Sequence, residues 1–502
     1  MIVLAIDAGT TGVRTRAIAA DGSTRATSYR EFPQHFPRPG WVEHDVVDIW
    51  SAARDTVNDV CARVQGETIA ALGITNQRET VVAFDRRTGA PLHRAIVWQD
   101  RRTASRCADL VSWLPTVRSR TGLVLDPYFS ATKIEWLLEH GGLPDDEHTV
   151  FGTIDTYLVH RLTGGAAYAT DPSNASRTML YDIVAQRWDP ELCALFGVQS
   201  WQLPEVVASS ARCGVTVASA GVPAGIPIAG IAGDQQAALF GQRCFERGTA
   251  KNTYGTGSFL LLNAGTVAPP PADGLLTTVA WQLGADPVTY ALEGAIFSTG
   301  STVQWLRDQL AIIATSDELA PLAATVPDSA GVVVVPAFSG LGSPWWDPDA
   351  RGTILGLSAG VSRAHLARAV IDAMVLQTRD VVSAMNAASG IPLRELRVDG
   401  GAAAMDLMLQ LQADALGVDV VRPRIIESTA LGAAMLAGLA EGVWSSDNLT
   451  TARFGNDHAD DVRFRPRLDN PQNLPDATLW RRAVERSRQW ARAATGNEAE
   501  PR

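Results

Sequence analysis

The chain is poor in cysteine, and what it has cannot pair by local spacing. Cys61, Cys107, Cys193, Cys213 and Cys244 are scattered over 502 residues without a CxxC motif. That excludes a disulfide framework or a zinc site as the organising feature and suits a reducing compartment. Net positive charge is also missing: the balance is −11, with a pI near 5.3. Nucleic acid and anionic membrane are therefore not expected as partners, and any phosphate site has to be local. No apolar run approaches membrane-spanning length; the clearest, 259–262 and 332–338, are strand-sized. The chain runs from Met1 into a strand with no basic leader, so no signal peptide is expected and the reading is cytoplasmic. Solenoid repeats, heptad seams and low-complexity linkers are absent as well.

What is present is enough apolar sequence, 46% of residues against 19% charged, to bury one large core or two. The stretch around which the rest is organised is Ile228-Ala229-Gly230-Ile231-Ala232-Gly233-Asp234-Gln235-Gln236. Its small residues leave one carboxylate, Asp234, open to close approach by a substrate. Asp234 reads equally as an N-cap for the helix that the apolar pattern from Ala237 predicts. The neighbourhood favours the first reading, because related strand-turn units lie on both sides of it. Upstream, 2–6 is a strand that ends in Asp7-Ala8-Gly9-Thr10-Thr11-Gly12 and returns through Arg14 into a second strand. The turn exposes amides and hydroxyls that suit phosphate oxygens, and Asp7 suits Mg²⁺ held through water. Read alone it is an ordinary hairpin, and it lacks the Gly-Lys-Ser/Thr of a Walker loop. Downstream, Thr253-Tyr254-Gly255-Thr256-Gly257-Ser258 repeats the logic and predicts a second tip facing the first across a cleft.

Between these units, 70–75 reads as a buried strand that delivers Asn76-Gln77-Arg78-Glu79 at its C-terminal end, where α/β sheets place ligands. Arg78 and Glu79 suit hydroxyl groups; the alternative is a solvated surface ion pair. Trp98 closes another strand, as a core aromatic or as the wall of a small pocket. Helices are predicted over 46–64, 131–140, 363–387 and 428–440, the last rich in Ala and Gly so that a neighbouring backbone can approach. Residues 293–305 read as a turn leading into a helix. A strand with a Gly turn at Gly400-Gly401 opens a helix to Gln412, where a flat base or ribose could lie against backbone. The Gly/Ala segment at 221–233 is the expected domain border, and the tail beyond Thr495 is expected to be frayed.

Two long signatures carry a family resemblance. Tyr128-Phe129-Ser130-Ala131-Thr132-Lys133-Ile134-Glu135-Trp136-Leu137-Leu138-Glu139-His140 is one. Gly352-Thr353-Ile354-Leu355-Gly356-Leu357 through His365-Leu366 to Asp372 is the other. With the paired turns and Asp234, they resemble the FGGY carbohydrate kinases over nearly the whole chain. The implied fold is α/β, two-domain and actin/hexokinase-like (ribonuclease H-like), with an interdomain cleft. Residues 1–245 would bind substrate and phosphate, 246–495 would bind nucleotide, and 496–502 would be a flexible tail. The segments 73–80, 96–99, 174–180 and 233–236 resemble the family members that act on glycerol.

By that resemblance Arg78, Glu79, Tyr128, Asp234 and Gln235 would hold glycerol hydroxyls, with Trp98 and Phe259 behind its carbons. Thr10, Thr11, Gly12 and Arg14, joined by Thr256, Gly300 and Gln304, would hold the ATP phosphates. Gly401 would lie near the adenosine, with Mg²⁺ near Asp7 and Asp234. The implied reaction is ATP-dependent phosphorylation of glycerol with Asp234 as general base. Dihydroxyacetone, erythritol or xylulose are alternative acceptors, and a non-catalytic actin-like nucleotide binder is the remaining alternative. The family often forms homodimers or homotetramers. Three positions depart from its pattern. Met405 stands where an Asn meets adenine, with Asp406 beside it as a replacement. Pro223-Ala224-Gly225-Ile226-Pro227 lacks the arginine of relatives that bind fructose 1,6-bisphosphate, so no inhibition by that sugar phosphate is expected. Ala8 and Gly12-Val13 replace a Gln and two serines, shifting phosphate contacts toward backbone.

Overall fold

The computed structural model describes residues 1–424, 427–450, 461–467 and 474–491. The tail expected to fray lies outside them. Two sheets carry the molecule. In chain order the first uses β1 (Ile2–Ala8), β2 (Gly12–Ala19), β3 (Thr24–Glu31), β4 (Ile69–Asn76), β5 (Ser210–Val215) and β6 (Pro227–Gly233). The second uses β7 (Thr249–Tyr254), β8 (Ser258–Gly265), β9 (Leu276–Trp281), β10 (Thr289–Ile296), β11 (Glu395–Gly400), β12 (Asp419–Arg422) and β13 (Val462–Phe464).

The first sheet runs β3-β2-β1-β4-β6-β5; the second runs β9-β10-β8-β7-β11-β12-β13. In each, a hairpin lies beside two further strands parallel to its first arm: β4 and β6 beside β1, β11 and β12 beside β7. The parallel strands are buried along nearly their whole length, as expected of strands covered on both faces. Helix α1 (Val46–Arg63) covers the first sheet; the Asp45 side chain accepts the Val47 N–H at its start. Its apolar residues Ile49, Trp50, Ala53, Val57 and Val60 recur at helical spacing and point into the core.

The segment at 221–233 is not a domain border. β6 is a buried strand of the first sheet, and α2 (Asp234–Gly241) follows it directly. Its Gly/Ala content has another cause. A helix from the far end of the chain, here α4 (Ser428–Ala440), lies across β6 and α2. A Cβ at Gly230 would come within 2.5 Å of the Ala437 amide nitrogen, and one at Gly432 within 1.8 Å of the Ala237 carbonyl oxygen. Small residues on both sides let these backbones touch, and the core formed there draws on both sheets, from Val3 and Ala229 to Leu261 and Ala291. The two halves are thus joined by packing rather than by a linker. Residues 293–296 are likewise not a turn: β10 continues to Ile296, and α3 begins at Gly300 and ends at Asp308. Among the described residues no helix is long and apolar enough to cross a membrane.

Candidate active site

The strand register decides where the chemistry gathers. Asp7 lies beside Thr75, Ala8 beside Asn76, and Asn76 beside Gly233, so β1, β4 and β6 end level with one another. Asp234 is the residue just beyond β6 and the first of α2, whose N-cap position belongs to Gly233. Its carboxylate caps no further turn of the helix. It accepts the adjacent Gln235 N–H at 2.7 Å and stands 3.3 Å from Arg78 Nε. About a third of this side chain is exposed (31%), whereas Arg78 beside it is 2% exposed. The site thus has a reachable carboxylate on a buried base.

That base is an ion cluster. Arg78 donates to both oxygens of Glu293, at 2.6 and 3.1 Å, to Gln236 Oε1 at 3.2 Å and to the Tyr128 hydroxyl at 3.2 Å. Glu79 is not chiefly its partner: the pair is 3.7 Å apart, and Glu79 instead accepts from Arg177 Nε at 2.7 Å. Arg177 also donates to Glu293 at 2.9 Å. The reading of Arg78 and Glu79 as a surface pair therefore fails, since both are buried. Two guanidiniums face two buried carboxylates, and the part-exposed Asp234 pairs with Arg78 at the edge of that cluster. Burial works against the charge on Glu293, but Arg177 and Arg78 outweigh it and hold the carboxyl down to about 2. Burial wins at Glu79, which is pushed up despite Arg78 and Arg177.

Glu293 and Arg177 were not singled out from the sequence. Glu293 sits in the middle of β10, in the other lobe, where a lone buried Glu in a strand of small residues is meaningful only once its partners are known. The same holds for Lys251. Fully buried on β7, its ammonium donates to Gln235 Oε1 and, at 3.0 Å, to Thr253 Oγ1. Of the apolar candidates, Trp98 donates from its indole nitrogen to Thr10 Oγ1 at 3.0 Å and meets Tyr128 edge-on at 5.6 Å. The wall is tied in this way to the first hairpin tip. Phe259 is half-buried on β8, packed against the shared core.

The phosphate candidates divide between the two tips. At the first, Thr10 is half-buried, Thr11 exposed and Gly12 buried. Arg14, opposite Asp7 in the register, makes an ion pair with Glu427, the residue before α4. Burial, and then the Asp234 charge, push the Asp7 carboxyl up to about 7, with Arg14 opposing. At the second tip Thr256 is exposed, and its carbonyl accepts the amides of Thr299 and Ser301 at 2.9 and 3.0 Å. Gly300 N–H donates to the Gly255 carbonyl at 3.0 Å, which seats the tip on the start of α3, where Gln304 is exposed. Gly401 is exposed just past β11, and Met405 packs partly into the second core. Asp406, expected as a replacement base contact, is engaged: Arg422 donates to it at 2.8 Å.

Comparison with known proteins fits this geometry. The model of the FGGY family of carbohydrate kinases, N-terminal domain, matches residues 2–241, and the C-terminal domain model matches 250–441. A glycerol kinase of Bordetella parapertussis is 50% identical over 508 aligned residues, covering 99% of each chain. One from Carboxydothermus hydrogenoformans is 51% identical, covering 97% of this chain and 98% of the relative. The crystal structure of Plasmodium falciparum glycerol kinase with ADP superposes with a TM-score of 0.91 at 34% identity, covering 97% of this chain and 98% of that one. Family models match both halves and the relatives match nearly the whole chain, so the chain belongs to the FGGY family of carbohydrate kinases.

Proposed function

We propose that the protein transfers the γ-phosphoryl group of ATP to a primary hydroxyl of glycerol, giving glycerol 3-phosphate, with Asp234 as the general base. One observation carries the mechanism. Asp234 is the exposed member of an otherwise buried and charge-balanced cluster, at the level where β1, β4 and β6 end. Phosphoryl transfer asks mainly for positioning and charge neutralisation. Arg78, Glu79, Tyr128 and Gln235 orient the acceptor hydroxyls against Trp98 and Phe259. Asp234 takes the proton of the hydroxyl as its oxygen attacks phosphorus, a role worth about 10²- to 10⁴-fold. Thr10, Thr11, Gly12, Thr256, Gly300 and Gln304 hold the phosphates, and Arg14 meets the growing negative charge on moving off Glu427. Gly401 and Met405 lie toward the nucleoside, where the thioether offers packing in place of a hydrogen bond.

Asp7 and Asp234 suit Mg²⁺: two oxygen donors whose repulsion a divalent ion relieves, short of a full protein cage, as this ion prefers beside phosphates. When bound, it would neutralise phosphate charge. Among the described residues no cluster of three or more metal-ligating side chains occurs.

We infer glycerol over longer polyols and ketoses from Trp98, whose indole N–H is held by Thr10 and whose ring meets Tyr128 edge-on, as a bulky wall of the acceptor site. A non-catalytic nucleotide binder would have no use for the buried Arg78–Glu293–Arg177 cluster under an open acid. ADP release measured over glycerol, dihydroxyacetone, erythritol and xylulose tests this. We expect kcat/KM for glycerol to exceed the others at least about 10-fold. A longer acceptor in first place, or no acceptor-dependent ADP release, would overturn the reading.

A further inference from the structure

The acceptor site described above leaves one buried cation without a task. Lys251 is 0% exposed, on the second-lobe strand β7, yet its ammonium reaches across the seam to Gln235 on the first-lobe helix α2. We propose that Lys251 is a positioning residue for the acceptor. It fixes the Gln235 amide with its oxygen turned inward, so that the NH₂ group is what the cleft presents. This rests on the assignment of Gln235 to the acceptor site.

An ammonium has three protons to give and no lone pair, so the amide atom against it must be the oxygen. The opposite orientation would set an NH₂ against an NH₃⁺, two donors with nothing to accept. Lys251 itself cannot turn away freely, because a second proton goes to Thr253 Oγ1 at 3.0 Å. Burial pushes the ammonium down to about 8; Asp399, Asp234 and Glu293 offset this only in part, and Arg78 adds to it. Among the described residues the Gln235 Nε2 group has no protein acceptor, and the side chain is half-buried at the cleft. What it can bind there is an oxygen lone pair.

The consequence is a division of labour around one small alcohol. Asp234 accepts a proton from a hydroxyl, while Gln235, next to it, gives a hydrogen bond to an oxygen. A site with both polarities reads a polyol better than a single hydroxyl. Because the lock comes from the other lobe, acceptor binding also senses whether the two lobes are packed together.

The test compares Lys251→Met, Gln235→Leu and the double variant, with KM for glycerol and for ATP determined separately. Loss of one uncharged hydrogen bond corresponds to a rise of roughly 3- to 10-fold in glycerol KM. We expect that rise in each single variant, an ATP KM within about 2-fold of the parent, and a double variant no worse than Gln235→Leu alone. If Gln235→Leu raises glycerol KM and Lys251→Met does not, the proposal falls while the acceptor site stands. It falls likewise if the two effects multiply in the double variant. If Gln235→Leu leaves glycerol KM unchanged, the assignment of Gln235 fails and takes the proposal with it. Should Lys251→Met not fold, Gln235→Glu is the second handle. Its carboxylate has no N–H to offer, so glycerol KM should rise as in Gln235→Leu, and an unchanged value overturns the proposal.

Discussion

The hairpin of β1 and β2 sets Asp7 opposite Arg14; the hairpin of β7 and β8 sets Thr253 opposite Phe259 at the corresponding place. On the neighbouring parallel strand the order is reversed, with Thr75 beside Asp7 and Asp399 beside Thr253. The tips differ in their supports too. The first adds to its backbone bonds two side-chain bonds, Trp98 on the Thr10 hydroxyl and Gln77 Nε2 on the Gly9 carbonyl at 3.0 Å. The second is held by the backbone amides that open α3 and by a bond between the Ser258 and Thr299 hydroxyls at 2.8 Å. The same scaffold is used twice. One copy brings Asp7 and Arg14, and the other brings a backbone-seated loop, Glu293 as the counter-ion of Arg78 and Arg177, and Lys251 as the donor to Gln235.

The comparison is broken most severely by removing the second lobe's counter-ion. Glu293→Gln leaves Arg78 and Arg177 buried with Glu79 and the part-exposed Asp234 as their remaining carboxylates. Stability should fall by about 3–5 kcal/mol, read from chemical denaturation. Its pH dependence follows from sign. A carboxyl held near 2 against an ordinary 4.5 contributes stability that is present above about 4.5 and is lost as pH falls toward 2. The parent should lose stability in that window, and Glu293→Gln should lose less; equal acid limbs would contradict the cluster.

A smaller effect sharpens the contrast between tip and support. A Cβ at Gly257 would lie 2.3 Å from the Ile296 carbonyl oxygen, whereas one at Gly255 has nothing nearer than 3.6 Å. Gly257→Ala should cost about 1–3 kcal/mol, as overpacking against backbone does, and should raise ATP KM with it. Gly255→Ala should stay below about 1 kcal/mol. Equal costs would mean that the tip is not seated on its neighbour as described.

Much of this was readable before the fold was known. Hairpins, the Gly400-Gly401 turn and the small-residue helix at 428–440 announce themselves through local pattern, because turn chemistry and backbone approach act over a few residues. Asp234 and Arg78 could be picked out because strand ends in such sheets carry ligands. The failures share one cause. Glu293 carries no local mark of a strand, because its partners Arg78 and Arg177 lie more than 100 positions away. The Gly/Ala run at 221–233 looked like a border because the helix that packs against it lies some 200 residues on. Lys251 gave no signal, since its partner comes from the opposite lobe. Long-range charge pairing and interlobe packing leave no local periodicity to read.

The central claim is that Asp234, reachable above a neutralised base, removes the acceptor proton. The most direct measurement is the turnover of Asp234→Asn at saturating glycerol and ATP, with both binding constants determined alongside. The account predicts a loss of about 10²- to 10⁴-fold in kcat with ATP affinity nearly unchanged. Turnover within a few-fold of the parent, with both substrates bound, would contradict it.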